Sequence, residues 1–155
     1  MKKQNKGFSL VELIIVIAIM AILAAAIAPA LIRYIDKSRR ADDLSAAETI
    51  NSAMSSALAN EDAYDEIQSS MNGTVIATAS QGGQFQPASG ISCPTFLEEL
   101  NSNIGGTAPR LKYRKDGQNG WAVGVSNVGK PIVWISTSTS TTAYSVQPEI
   151  DKKYK

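Results

Sequence analysis

The stretch that decides the fold is Leu13–Ile32, LIIVIAIMAILAAAIAPALI, which runs for 20 residues without a charge. At the rise of an α-helix it reaches about 30 Å, the thickness of a bilayer core, so length alone makes it a candidate membrane span. Upstream lie the basic residues Lys2, Lys3 and Lys6, then Gly7, Phe8 and a single carboxylate, Glu12. Downstream come Arg33, Lys37, Arg39 and Arg40. Cations flank the span on both sides, so charge bias does not orient it.

Several bland readings compete for this segment. A secretory signal peptide is one, because Ala26-Ile27-Ala28 has the small-residue pattern of a cleavage site. The apolar run is long for that role, and Pro29 would follow the cut bond directly. A plain anchor and a buried core helix are the others, the last being too large for so small a domain to enclose. Glu12 separates these readings. A carboxylate carried to the bilayer centre costs about 2.5–3.5 kcal/mol, and an ordinary anchor gains nothing from it. Near a helix N-terminus it is better tolerated. If the chain were cut after Gly7, Phe8 would carry a free ammonium one helical turn from Glu12. That ammonium, or a neighbouring chain's, would neutralise the carboxylate and turn it into a register device.

The string Lys6-Gly7-Phe8-Ser9-Leu10-Val11-Glu12-Leu13-Ile14 resembles the prepilin signature of type IV pilins and type II secretion pseudopilins. The resemblance implies cleavage between Gly7 and Phe8 by a prepilin peptidase, N-methylation of Phe8, and pairing of Glu12 with the amino terminus of an adjacent subunit. It further implies a homopolymeric filament, an assembly ATPase and a polytopic platform protein. The leader is then cytoplasmic, the precursor sits in the cytoplasmic membrane, and the product is an extracellular pilus. Ser9 stands where many relatives carry threonine, which keeps the hydroxyl. Pro29 removes a backbone donor and displaces the Ala25 carbonyl, so a helix kink is expected there. The alanines around it form a thin section where helices approach closely.

Beyond Arg33 the pattern becomes periodic. Leu44, Ala47, Ile50, Met54, Ala57 and Leu58 recur at three- and four-residue spacing, which predicts one helix from Phe8 to about Ala59. The expected organisation is a leader over 1–7, a membrane or filament-core helix over 8–32, and an amphipathic helical half over 33–59. A connecting loop with a short helix follows over 60–106, then an antiparallel sheet over 107–148 and a tail over 149–155. Within the loop, Thr74–Ala79 reads as a strand, and Thr95–Glu98 has capping-box spacing. In the sheet region, Arg110–Arg114 alternates basic and apolar residues, Trp121, Val123 and Val125 share a face, and Ile132–Ile135 and Tyr144–Val146 supply further strands. The Ser136–Thr142 tract is compatible with strand, exposed loop or glycosylated patch. The fold class is therefore α+β: a long N-terminal helix on a small antiparallel sheet, the pilin fold that the resemblance implies.

Chemistry is sparse. The chain has no histidine and one cysteine, Cys93, so a nucleophile–base pair, a disulfide framework and a cysteine-rich zinc site are all missing. No catalytic residue, cofactor or metal site is assigned; Glu149 and Asp151 are too few for calcium. Removing residues 1–7 leaves 12 basic and 14 acidic side chains, a balance unlike that of a dedicated nucleic-acid binder. Arg110, Lys112 and Arg114 form the candidate ligand surface, with DNA as one occupant and a plain solvated strand face as the alternative. The mixed charges over 33–43 read as a solvated or intersubunit salt-bridging face, and Glu61, Asp62, Asp65 and Glu66 as a solvated helix end. The functional expectation is a structural subunit of a type IV pilus, most like a major pilin, serving attachment, motility or DNA uptake. Its alternatives are a secretion or competence pseudopilin and a secreted binding module released after Ala28.

Overall fold

The computed structural model describes residues 8–114, 116–137 and 141–154. Two compact units divide the chain, residues 1–38 and residues 39–155. Helix α1 is Leu10–Ala57 and contains Pro29. It is exposed at every residue from Leu10 to Ile35. The second unit holds the last part of α1, two short helices and a sheet.

Why α1 stops is local. Asn60 ends it by capping the next helix, α2 (Glu61–Ile67): its side-chain oxygen accepts from the Asp62 and Ala63 N–H groups at 3.0 and 3.3 Å. Such a cap satisfies helix-end donors that would otherwise be orphaned. A 3-10 turn, Gln68–Ser70, leads into β1 (Val75–Ser80), β2 (Gln86–Pro87) and α3 (Pro94–Asn103). Strands β3 (Gln118–Val125), β4 (Pro131–Thr137) and β5 (Tyr144–Gln147) complete the architecture. The sheet has the order β2-β1-β3-β4-β5 and every pairing is antiparallel. A long N-terminal helix followed by a five-stranded antiparallel sheet is an α+β, pilin-like arrangement.

One sheet face carries Ala77, Ala79, Trp121, Val123, Val133, Ile135 and Val146, which pack with Ala47, Ile50 and Met54 of α1 in a single buried cluster. Alternation along each strand delivers these side chains to one side. On the other face Ala122 and Gly124 pair with Trp134 and Ile132. A Cβ at Gly124 would strike the Thr74 carbonyl and the Trp134 ring, so glycine there is a packing requirement. The β3–β4 hairpin turns at Gly129, whose φ of 76° is left-handed.

Several expectations need correction. The strand expected in the connecting loop is β1, and it pairs directly with β3; the sheet therefore starts well before residue 107. Conversely, Arg110–Arg114 forms no ladder. Its burial does alternate, with Leu111 and Tyr113 buried between exposed basic residues, but its N–H groups go to side chains. Leu111 N–H donates to Gln81 Oε1, and those of Lys112 and Tyr113 donate to Asp43. The capping box expected at Thr95–Glu98 is replaced by a distant cap. Glu66 of α2 accepts from the Thr95 and Phe96 N–H groups at 3.2 and 3.1 Å, so Glu66 does not belong to a solvated helix end. In the Ser/Thr tract, Ser136 and Thr137 belong to β4 and Thr141 begins a turn, while residues 138–140 lie outside the described residues.

Candidate functional site

The site built by the N-terminal helix begins at its cap. Ser9 precedes the first helical residue, and its Oγ accepts from the Val11 N–H at 3.3 Å. In return Glu12 Oε2 accepts from the Ser9 N–H at 2.9 Å. This is a reciprocal capping box: Ser9 is the N-cap and Glu12 stands three residues on. Two orphan donors are satisfied and the carboxylate sits at the positive end of the helix dipole. The S-x-x-E spacing of Ser9 and Glu12 is the sequence signal for this cap.

Phe8 is 83% exposed. Gly7, the other residue of the expected cleavage site, lies outside the described residues. From Leu10 to Ile32 every large apolar side chain is exposed, and the helix is long and apolar enough to cross a membrane. Pro29 is helical and its neighbours continue the helix on both sides. Among the described residues, nothing buries this hydrophobic surface. Burial at ~25 cal/mol per Å² is the dominant favourable term available to it, in lipid or against like helices.

A second cluster was not anticipated. Asp43, expected on the polar side of the amphipathic half, is 0% exposed. Its Oδ1 accepts from Lys112 N–H at 2.6 Å; its Oδ2 accepts from Tyr113 N–H at 3.0 Å and from the Tyr154 hydroxyl at 2.6 Å. Burial, then the Asp43 hydrogen bond and charge, push the Tyr154 hydroxyl far above the ordinary tyrosine range. Arg40 lies 4.3 Å over the Tyr113 ring and donates to its hydroxyl at 2.8 Å, so Arg40 is no simple solvated charge. This cluster answers how the C-terminal segment is held without a disulfide. The sequence did contain a signal: Asp43 falls four residues before Ala47 and seven before Ile50, on the buried stripe of α1.

The three basic residues of the candidate ligand surface keep their side chains exposed. Arg114 Nε donates to the Gln118 carbonyl at 3.3 Å, and Lys112 contributes only its backbone to Asp43. Cys93 is buried, and burial together with nearby Glu66 pushes its thiol up to about 11, far from a reactive thiolate. Among the described residues no group of three or more His, Cys, Asp or Glu side chains is placed to hold a metal ion.

Comparison with known proteins agrees on the N-terminal segment. Residues 2–28 match the family model of the prokaryotic N-terminal methylation motif, so the chain carries the type IV prepilin signature. That match covers the residues before α1 and the first part of α1, and stops short of the sheet-bearing unit. No solved structure matches the chain.

Proposed function

We propose that this chain is the structural subunit of a type IV pilus, polymerised through α1 after removal of residues 1–7. The observation that carries the reading is the helix from Leu10 to Ile32, apolar, wholly exposed and interrupted by one acidic residue near its start, within a prepilin signature. A prepilin peptidase would cut between Gly7 and Phe8, and Phe8 would be N-methylated. Before assembly the helix is held in the cytoplasmic membrane. On extraction by an assembly ATPase and a platform membrane protein, its apolar surface exchanges lipid for the helices of other subunits. Glu12 then sets the axial register against the amino terminus of a neighbour, because an unpaired charge inside the bundle is costly and a paired one is not. Pro29 with its flanking alanines gives a section where the helix bends and neighbours approach. Among family roles we place it with major pilins at the cell surface, in attachment, motility or DNA uptake.

Continuity of α1 through Ala28 and Pro29 supports this reading over release after Ala28, which would sever a helix that runs on to Ala57. Intact mass and N-terminal sequencing of the surface protein provide the test. A chain beginning at N-methylated Phe8 is expected; one beginning at Pro29 removes the pilus reading.

A further inference from the structure

Charge is segregated along this chain to a degree its near-zero total hides. From Ala41 to Pro109 there is no lysine or arginine, while nine carboxylates stand there; from Arg110 to Lys155 eight basic residues face three acidic ones. Of the acidic group, Asp42, Asp43 and Glu48 lie on α1 itself, while Glu61, Asp62, Asp65, Glu66, Glu98 and Glu99 lie on α2 and α3, past the Ala57 end of the α1 segment in the second unit. At one end Asp43 binds the backbone of Lys112 and Tyr113 and the Tyr154 hydroxyl. It thereby gathers the exposed side chains of Arg110, Lys112, Arg114, Lys152 and Lys153, which outnumber the exposed acids Asp42, Asp116 and Glu149 among them. About 21 Å along the helix axis, Ala57 is followed by α2. There Glu61, Asp62 and Asp65 are exposed, with Glu98 of the adjoining α3. Asn60 ties the two helices by donating to Glu99 at 3.0 Å. Lys130, on the β3–β4 hairpin, belongs to neither group.

We propose that the basic edge Arg110–Lys112–Arg114 with Lys152 and Lys153 is a docking surface for a second copy of this chain, whose acidic α2–α3 end seats on it. The proposal rests on the filament reading above and adds a head-to-head contact to the helix core. Its physical basis is that the same unit carries both signs, displaced along the helix direction. A surface complementary to a different surface of its own kind makes a heterologous contact, and repeated heterologous contacts build a helical polymer. Oppositely charged edges fix register and suppress wrong docking more than they add affinity. They would reinforce, between the sheet-bearing units, the axial step that Glu12 sets along the apolar part of α1.

Charge reversal in the full-length chain tests this. Arg110→Glu with Lys112→Glu, and separately Glu61→Lys with Asp62→Lys, should each lower the yield of sheared filaments several-fold at unchanged precursor level in the membrane. Combining the two pairs should restore much of the loss. Unchanged yields from either pair, or a combination no better than its parts, would overturn the proposal. So would loss of duplex DNA binding by the basic pair with filaments intact, which would assign the edge to an anionic polymer instead. Should a reversed variant fail to fold, Lys112→Cys with Glu61→Cys supplies an independent readout. Disulfide-linked dimers confined to filaments support the contact, and their absence from abundant filaments overturns it. Absence of filaments from the unaltered chain sinks the pilus reading itself, an outcome distinct from all of these.

Discussion

The Tyr154 hydroxyl donates to Asp43 Oδ2 at 2.6 Å, across 111 positions of sequence. The same carboxylate takes the Lys112 and Tyr113 N–H groups, so one buried side chain joins α1, the 110–114 segment and the C-terminal turn. Tyr154 packs edge-on to Tyr113 at 6.1 Å between ring centroids and against Tyr144 at 5.5 Å. The turn that carries it is fixed by the Asp151 N–H donating to Ser145 O at 2.7 Å and the Tyr154 N–H donating to Asp151 O at 2.9 Å. A clasp of this kind closes the end of the chain with hydrogen bonds to a charged acceptor, each contributing about 1.5–3 kcal/mol.

Tyr154→Phe should therefore destabilise the folded protein by about 1.5–3 kcal/mol. Asp43→Ala should cost more, because it leaves the buried Tyr113 N–H, the part-buried Lys112 N–H and the Tyr154 hydroxyl without their acceptor. Denaturant titration of the detergent-solubilised full-length chain, followed by tryptophan fluorescence, measures both. Equal stability of Tyr154→Phe and the parent would show that packing alone closes the C-terminus.

The α3 cap gives a separate prediction. Burial tends to raise the Glu66 carboxyl, but the hydrogen bonds from the Thr95 side chain and the Thr95 and Phe96 N–H groups outweigh it and lower its pKa from 4.5. A lowered carboxylate stabilises the fold above its unfolded pKa, and that contribution is lost as pH falls through the folded value. Glu66→Gln should thus reduce stability at neutral pH and flatten the acid limb of the stability profile below about pH 4.5. Glu98→Gln, at the position the sequence spacing favoured for a cap, should change neither.

What the sequence revealed and what it hid divide along physical lines. The helix was legible because its signal is local: an unbroken apolar run, then a three-four stripe to about Ala59. Trp121, Val123 and Val125 were placed on one face because a strand's period needs no partner to be read. The strand reading of Arg110–Arg114 failed for the complementary reason. Alternation set the burial of its side chains, but ladder formation depends on where N–H groups find acceptors, and Asp43 and Gln81 lie far away in sequence. Glu66 capping α3 is likewise a long-range pairing that no window of neighbouring residues displays. At the N-terminus, the expectation for Glu12 was pairing with the amino terminus of an adjacent subunit; within the chain its partner is the Ser9 N–H.

Two buried acids should weaken the fold in alkali. Burial, then Glu66, raises the Cys93 thiol from 9.0 to about 11, and Tyr154 is raised more strongly. A group whose folded pKa is raised stabilises the fold fully below its unfolded pKa and loses that contribution as pH rises through the folded value. For Cys93 the loss runs between pH 9 and about 11. Cys93→Ala should flatten stability over that window relative to the parent, as read by denaturation at several pH values. Thiol-reactive dyes at pH 8 should label the parent quickly only after unfolding.

The capping box makes Glu12 separable into two roles. Glutamine serves as well as glutamate at the third position of such a box, so Glu12→Gln should keep the helix cap and membrane insertion. It cannot form an ion pair with the amino terminus of a neighbouring subunit. If the charge sets the register, Glu12→Gln should lower filament yield nearly as far as Glu12→Ala, with precursor levels in the membrane equal to those of the parent. Ser9→Ala is the complementary change: it removes the cap oxygen, at about 1 kcal/mol of local helix stability, and leaves the charge in place. Filaments should survive it. Normal filaments from Glu12→Gln, together with failed assembly of Ser9→Ala, would reverse the assignment and make Glu12 a capping residue alone. Quantitative immunoblotting of sheared filaments against membrane-retained subunit distinguishes these outcomes in a single set of strains.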